Sequence, residues 1–326
     1  MRLVIIIFLI SIFSSSLKAE KLTVYTYDSF VSEWGPGPIV EKIFEDKYEI
    51  DLQFIAVDSA ATLLNKIILE GENTKADLVL GLDMNLFNAA EKSELFVSHN
   101  LKNINKKLTL PLDWESDIFV PYNYGYFAFV YNNKTLKNPP LSMEELINKT
   151  DARIVIQDPR TSTPGLGLLT WMKALYGDSA QNKWSQLNKK IISVTKGWTD
   201  AYYNFFMAGE ADIVLSYSTS PAAHIMFEEN YDISASAFKE GNYISVEFAG
   251  ILNSSNNKKI ANQFLEFMVS DDFQKVIPTT NIMYPVTGVD LPESFNKLEI
   301  PNVLQLDSKD INVNKDVWIN EWLNAS

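Results

Sequence analysis

Cysteine is absent from the 326 residues, which removes disulfides, thiolate metal sites, lipid attachment through sulfur and any thiol nucleophile. Histidine is nearly absent: His99 and His224 are the only two, with no His-x-x-x-His spacing or dense metal-ligand set. A Gly-x-Ser-x-Gly elbow and a phosphate-binding P-loop are also missing. Carboxylates abound without any pair standing out, so the sequence carries no catalytic signature. Basic residues are the scarcer charge, 28 against 41 acidic ones, for a net charge of −13. That balance disfavours nucleic acid and anionic membrane surfaces and favours small cations, although keeping a protein soluble explains it equally well.

Long apolar runs are missing after the first twenty residues. Arg2 precedes an apolar run over residues 3–13, broken only by Ser11, and Ser14-Ser15-Ser16-Leu17-Lys18-Ala19 follows. The run is too short to span a bilayer comfortably, so residues 1–19 read as a secretory leader cleaved after Ala19. Removing those 19 residues from 326 leaves 307, enough for two lobes, and losing Arg2 and Lys18 takes the charge to −15.

What is present is an alternation of short strand-like and helix-like segments. Residues 21–27 alternate at period two and end in Asp28-Ser29; a Gly35-Pro36-Gly37 turn precedes helical spacing from Pro38 to Phe44. Residues 52–57 form a second strand, and a helix starts at Asp58-Ser59. The repeating unit of strand, polar turn and helix predicts an α/β sheet with covering helices. Two stretches echo each other: residues 69–80 and 207–215 both run from a helix end through glycine to Ala-Asp and an apolar strand. Two similarly built lobes account for the echo, as does chance. Residues 111–121 read as a connection, 122–131 as a long aromatic strand crossing between lobes, and 243–249 as the return crossing. From residue 256 the chain is expected to rejoin the first lobe as helices, with Trp318 and Trp322 sharing one helical face for packing.

Ligands of open α/β sheets bind where strand ends meet helix starts. Tyr27-Asp28-Ser29 closes the first strand, and Asp58 or Ser59 is placed to cap the helix at Ala60. Gln157-Asp-Pro-Arg-Thr-Ser-Thr-Pro-Gly-Leu-Gly167 starts a helix with Thr163 as cap and Pro164 in its first turn, and its free amides with the Ser162 and Thr163 hydroxyls suit a phosphate or another oxygen-rich group. Simple capping also explains that chemistry. Ser216-Tyr-Ser-Thr-Ser-Pro-Ala222 repeats the pattern through Tyr217, Ser218, Thr219 and Ser220. Trp198 follows Gly197 in a turn before Thr199 or Asp200, which suits either a cleft or a core position. The adjacent phenols Tyr202 and Tyr203 admit ferric iron, in a stretch whose Phe205 and Phe206 read as core.

The runs Leu22-Thr-Val-Tyr-Thr-Tyr-Asp-Ser-Phe30, Trp34-Gly-Pro-Gly-Pro38, Lys75-Ala-Asp77, residues 124–131, residues 157–168, Val194-Thr-Lys-Gly-Trp198 and Leu215-Ser-Tyr217 closely resemble the periplasmic thiamine-binding proteins of bacterial ABC transporters, over essentially the whole chain after the leader. The resemblance implies a two-lobed periplasmic-binding-protein fold of type II with two crossing hinge strands. One lobe would comprise 20–122 and 246–326, the inserted lobe 123–245, with hinges near 122–126 and 243–249. It further implies a non-enzymatic, monomeric periplasmic protein without a cofactor, closing on thiamine or its mono- or diphosphate and delivering it to an inner-membrane permease with its ATPase. Carried over by position, Ser59, Ala60, Ser162, Thr163, Trp198, Tyr217, Ser218, Thr219 and Ser220 contact the ligand, with Tyr27, Asp28 and Asp58 beside them. Trp198, Tyr217 and Tyr27 are expected to face the rings, Asp28 or Asp58 to balance their positive charge, and the hydroxyls to hold the hydroxyethyl arm or phosphate. Three departures stand out: Asp58-Ser59-Ala60 replaces an expected acid followed by glycine, Ile282 an expected tryptophan, and Ala223 an expected tyrosine. A thiaminase-like transferase of similar fold is the enzymatic rival, but that family uses a cysteine nucleophile.

Overall fold

The computed structural model describes residues 20–149 and 151–325, so the leader expected at 1–19, with its cut after Ala19, lies outside the described residues. Among them, no helix is long and apolar enough to cross a membrane.

Two parallel three-stranded units form the ends of one continuous sheet. In the first, Lys21–Tyr27 lies between Asp51–Val57 and Leu78–Asp83. In the second, Ile154–Gln157 lies between Ile191–Thr195 and Ile213–Tyr217. Two long strands join them. Asn242–Leu252 runs antiparallel to Leu78–Asp83, Phe119–Asn132 runs antiparallel to Ile213–Tyr217, and the long strands pair with each other between the two units. Their pairing slips at one point, where Glu247 faces Asn123 and Phe248 faces Pro121, leaving Tyr122 as the extra residue of a bulge. Aromatic and β-branched residues suit such a pleated position, and all eleven residues of Asn242–Leu252 are buried because both faces are covered.

The echo between the two halves has a structural basis. The helix Ala60–Glu70 ends at Gly71 with φ 53°, and the π-helical segment Asp200–Met207 is followed by Gly209 with φ 81°. The aspartate after each turn accepts a backbone N–H at the start of the neighbouring parallel strand: Thr23 N to Asp77 at 2.9 Å, Arg153 N to Asp212 at 2.8 Å. Asp77 is buried and also takes the Ser255 hydroxyl, whereas Asp212 pairs with the Arg153 guanidinium near the surface.

One apolar cluster fills the first unit behind Leu22, Val24, Phe44, Phe264 and Phe267. A larger one runs from Leu63 and Leu82 through Phe127 and Phe129 to Trp171, so the two halves share core. The helix Ser308–Asn324 contacts both halves. It packs on Met84–Leu86 and Phe87–Lys92 on one side and on Thr163–Tyr176 and Ala180–Leu187 on the other. Trp322 meets Trp184 with ring centroids 6.5 Å apart, and Lys173 pairs with Glu321 while lying over the Trp318 ring. The second half supplies the apolar surface that the two tryptophans need.

Candidate functional site

All six parallel strands point their carboxyl ends into the space between the halves, the arrangement that gathers turn residues and free amides in open α/β sheets. A cavity of about 340 Å³ opens there, within the ~300–1,000 Å³ typical of small-molecule sites. Of the twelve residues expected at the site, ten line it: Tyr27, Asp58, Ser59, Ala60, Ser162, Thr163, Trp198, Tyr217, Thr219 and Ser220. Asp28 and Ser218 do not. Asp28 is exposed at the start of the short helix Asp28–Val31, and Ser218 is buried behind the surface with its hydroxyl unpartnered among the described residues.

The second half presents helix ends and rings. Thr163 and Pro164 already have helical geometry, so the cap position falls on Ser162 rather than on Thr163, and Ser162 makes no side-chain capping bond. The helix Ser220–Glu228 likewise starts beneath Thr219 without a side-chain cap. Both helices therefore open toward the cavity with backbone N–H groups available, favourable to oxygen-rich or anionic groups. Trp198 is held by its indole N–H, which donates to Ser216 Oγ at 2.7 Å, and Ser216 in turn meets Ser220 Oγ at 2.8 Å. Behind it, Tyr202 stacks on the indole at 4.9 Å and its hydroxyl meets His224 Nε2 at 2.9 Å, while His224 Nδ1 lies 2.9 Å from Glu228. Tyr202 is thus buried and engaged, whereas its neighbour Tyr203 is exposed; this geometry adds nothing to the iron reading. Among the described residues no group of three or more His, Cys, Asp or Glu could hold a metal ion.

The first half contributes an acid floor. Ser59 caps its helix by accepting Thr62 N at 3.2 Å. Asp58, one of the two acids expected to balance a bound cation, is exposed and pairs with Lys196 across the mouth of the cleft. The buried acid is instead Glu247, which lines the cavity and is only 9 % exposed. Its Oε2 accepts from Tyr27 OH at 2.9 Å, from Asn123 Nδ2 at 2.8 Å and from Tyr122 OH. Burial pushes Glu247 above the usual carboxylate range against these three bonds, which pull it down. Burial also holds the Tyr27, Tyr122 and Tyr217 phenols protonated, well above their ordinary value. Asp83 faces Glu247 across the strand pair, and burial, with the Glu247 charge adding to it, raises Asp83 to about 7. Gly81 has φ 105°, and a Cβ there would lie 2.4 Å from the Tyr27 ring, so the bare backbone is what lets that ring lie against the strand.

Reading the sequence missed Glu247, Asn281, Met283, Trp34 and Phe227, all of which line the cavity. For Glu247 a signal existed, a lone carboxylate inside the apolar strand run Tyr243-Ile-Ser-Val-Glu-Phe-Ala249. Ile282, standing where the resemblance leads one to expect tryptophan, also lines the cavity and takes φ 54°, a conformation costly for a β-branched residue.

Residues 73–310 match the family described as bacterial extracellular solute-binding protein. The thiamine-binding periplasmic protein of Escherichia coli strain K12 is 48 % identical over 306 residues, covering 93 % of both chains. A solved structure titled periplasmic thiamin binding protein superposes with a TM-score of 0.91 at 48 % identity, covering 95 % of this chain and 97 % of the other. Iron-bound HitA from Pseudomonas aeruginosa shares the fold, with a TM-score of 0.78 at 19 % identity, covering 94 % of this chain and 99 % of that one. The fold is that of the two-lobed periplasmic binding proteins, and the relatives named as thiamine-binding are solute-binding proteins, not enzymes. The chain belongs to the bacterial extracellular solute-binding proteins and, within them, to the family of thiamine-binding periplasmic proteins.

Proposed function

We propose that this protein captures thiamine, or its mono- or diphosphate, in the cleft and delivers it as a monomer, without a cofactor, to an inner-membrane ABC permease and its ATPase. The single observation that carries this reading is chemical segregation within one cavity: an aromatic platform of Trp198 on Tyr202, two uncapped helix starts, and a buried carboxylate opposite. A delocalised cationic ring gains from aromatic faces by about 0.5–2 kcal/mol and needs a nearby negative charge when taken out of water. A hydroxyethyl arm or phosphate gains from free amides and the Ser162, Thr163 and Ser220 hydroxyls.

The reading divides the chain at 20–122 with 246–326 and at 123–245, hinged near 122–126 and 243–249, after export and cleavage following Ala19. Closure about the two long strands is held at the mouth by the Lys196–Asp58 pair and creates the surface a permease reads. Mass spectrometry of the small molecule that co-purifies with the protein, followed by isothermal titration with thiamine and its two phosphates, tests the proposal. Tight, stoichiometric binding of at least one of the three is expected. Absence of heat with all three, with a different molecule retained, overturns it.

A further inference from the structure

Glu247 combines features that a purely structural carboxylate lacks. Its three hydrogen bonds all fall on Oε2, from Tyr27, Tyr122 and Asn123, while Oε1 has no hydrogen-bond partner among the described residues although the side chain lines the cavity. A buried carboxylate serving only the fold is normally satisfied at both oxygens. None of its ion pairs or charge neighbours among the described residues is a lysine, an arginine or a histidine. Its titratable neighbours are Tyr27, Tyr122 and Tyr217, held as neutral phenols by burial, and Asp83, a second buried acid across the strand pair that does not line the cavity. The other acids at the cleft are less suited: Asp58 pairs with Lys196, Glu228 pairs with His224 and is half exposed, and both Asp58 and Asp28 are exposed to solvent, where screening weakens their reach.

Resting on the thiamine reading, we infer that Glu247 is the specificity-determining residue of the cleft, the counter-charge whose Oε1 selects a cationic heterocycle over a neutral one of the same shape. The surrounding donors hold Oε2 so that the carboxylate is positioned before the ligand arrives, and the incoming cation supplies the charge partner that the protein withholds. Tyr27 contributes twice, fixing the carboxylate with its hydroxyl and offering its ring to the cavity. The chain contains no thiol for Glu247 to activate, so a counter-charge accounts for it where the general base of a cysteine nucleophile does not.

The test compares thiamine with an isostere in which the ring nitrogen bearing the positive charge is replaced by carbon. Titration calorimetry of the full-length secreted protein is expected to show Glu247→Gln weakening thiamine by roughly a hundredfold while changing the isostere by less than about threefold. Glu247→Asp, which keeps the charge, is expected to restore part of the preference for the cation. Equal losses for both ligands, or an unchanged thiamine affinity, overturn the inference. Should Glu247→Gln fail to fold, the unmodified protein titrated in buffers of different ionisation enthalpy decides the matter. A cation beside a carboxylate raised by burial lowers its pKa and releases protons, so release with thiamine and none with the isostere is expected, and identical release with both overturns it. An unmodified protein that binds neither ligand removes the thiamine reading itself, an outcome distinct from any of these.

Discussion

The two walls of the cleft are built from opposite chemistry. The second half offers mainly hydroxyls, helix-start amides and stacked rings, with Glu228 paired to His224 beside them; the first half offers Glu247 in the lining and Asp83 buried opposite it in the strand pair, acids without a basic partner among the described residues. The helix-start wall stabilises itself, since Trp198, Ser216 and Ser220 bond one another. The acid floor does not, because burial raises both carboxyls and the Glu247 charge raises Asp83 further. On the proposed reading the difference teaches that the helix-start wall can serve both binding and stability, whereas the acid floor would be retained at a cost to the empty protein.

Breaking the acid floor should produce the largest change. Asp83 is raised to about 7 from an ordinary 3.8, so the folded state binds the proton more tightly than the unfolded one. Stability is therefore highest below the unfolded value and is lost as pH rises through about 7. Replacing Asp83 by Asn, which keeps the acceptor for the Asn85 N–H at 2.7 Å, should stabilise the protein at pH 8 by on the order of 1–3 kcal/mol and by much less at pH 4. Thermal melts at the two pH values check this; equal shifts at both would mean that charge is not the cause.

On the opposite wall, Trp198→Ala should weaken thiamine by well over tenfold, on the order of the cation–π and packing contribution of a desolvated indole. Unchanged affinity by titration calorimetry would remove Trp198 from the site. A smaller and more selective loss is expected at the helix start. Ser162→Ala should weaken the phosphorylated forms by roughly fivefold more than thiamine itself, the size of one hydrogen bond to a charged group, so side-by-side titrations of the three ligands would sharpen the division between walls. The smallest effect belongs to the mouth, where Lys196 pairs with Asp58 in full view of solvent. Lys196→Ala should raise the ligand dissociation rate by less than about threefold, and less still at high salt; stopped-flow chase experiments measure it.

Most of the helix-start wall was legible in the sequence because capping and turn chemistry are local. Proline in the first helical turn, hydroxyls before it, and strand-like residues before those announce a strand-to-helix junction wherever they occur, and the residues around Ser162 and Ser220 carried that signature openly. The acid floor was not legible in the same way. Asp28 and Asp58 sit at junctions and attracted the counter-charge assignment, and only the fold shows that both are exposed and that Asp58 pairs with Lys196. Glu247 lies mid-strand, and its neighbours Tyr27, Tyr122 and Asn123 come from two other strands distant in sequence. The helix Ser308–Asn324 shows the same limit: the spacing of Trp318 and Trp322 marks one packing face, but only the position of Trp184 decides which half that face meets.

By itself the amino-acid order determined the alternation of strands and helices, the α/β class, and the junctions at which a ligand would be met, because each depends on residues a few positions apart; the two-lobed form followed from the family resemblance. Tertiary structure alone decided which acid is buried, which is paired at the surface, and which oxygen of Glu247 takes the three hydrogen bonds. Desolvation and charge pairing depend on what is near in space, and the bulged crossing strands bring those groups together from opposite ends of the chain.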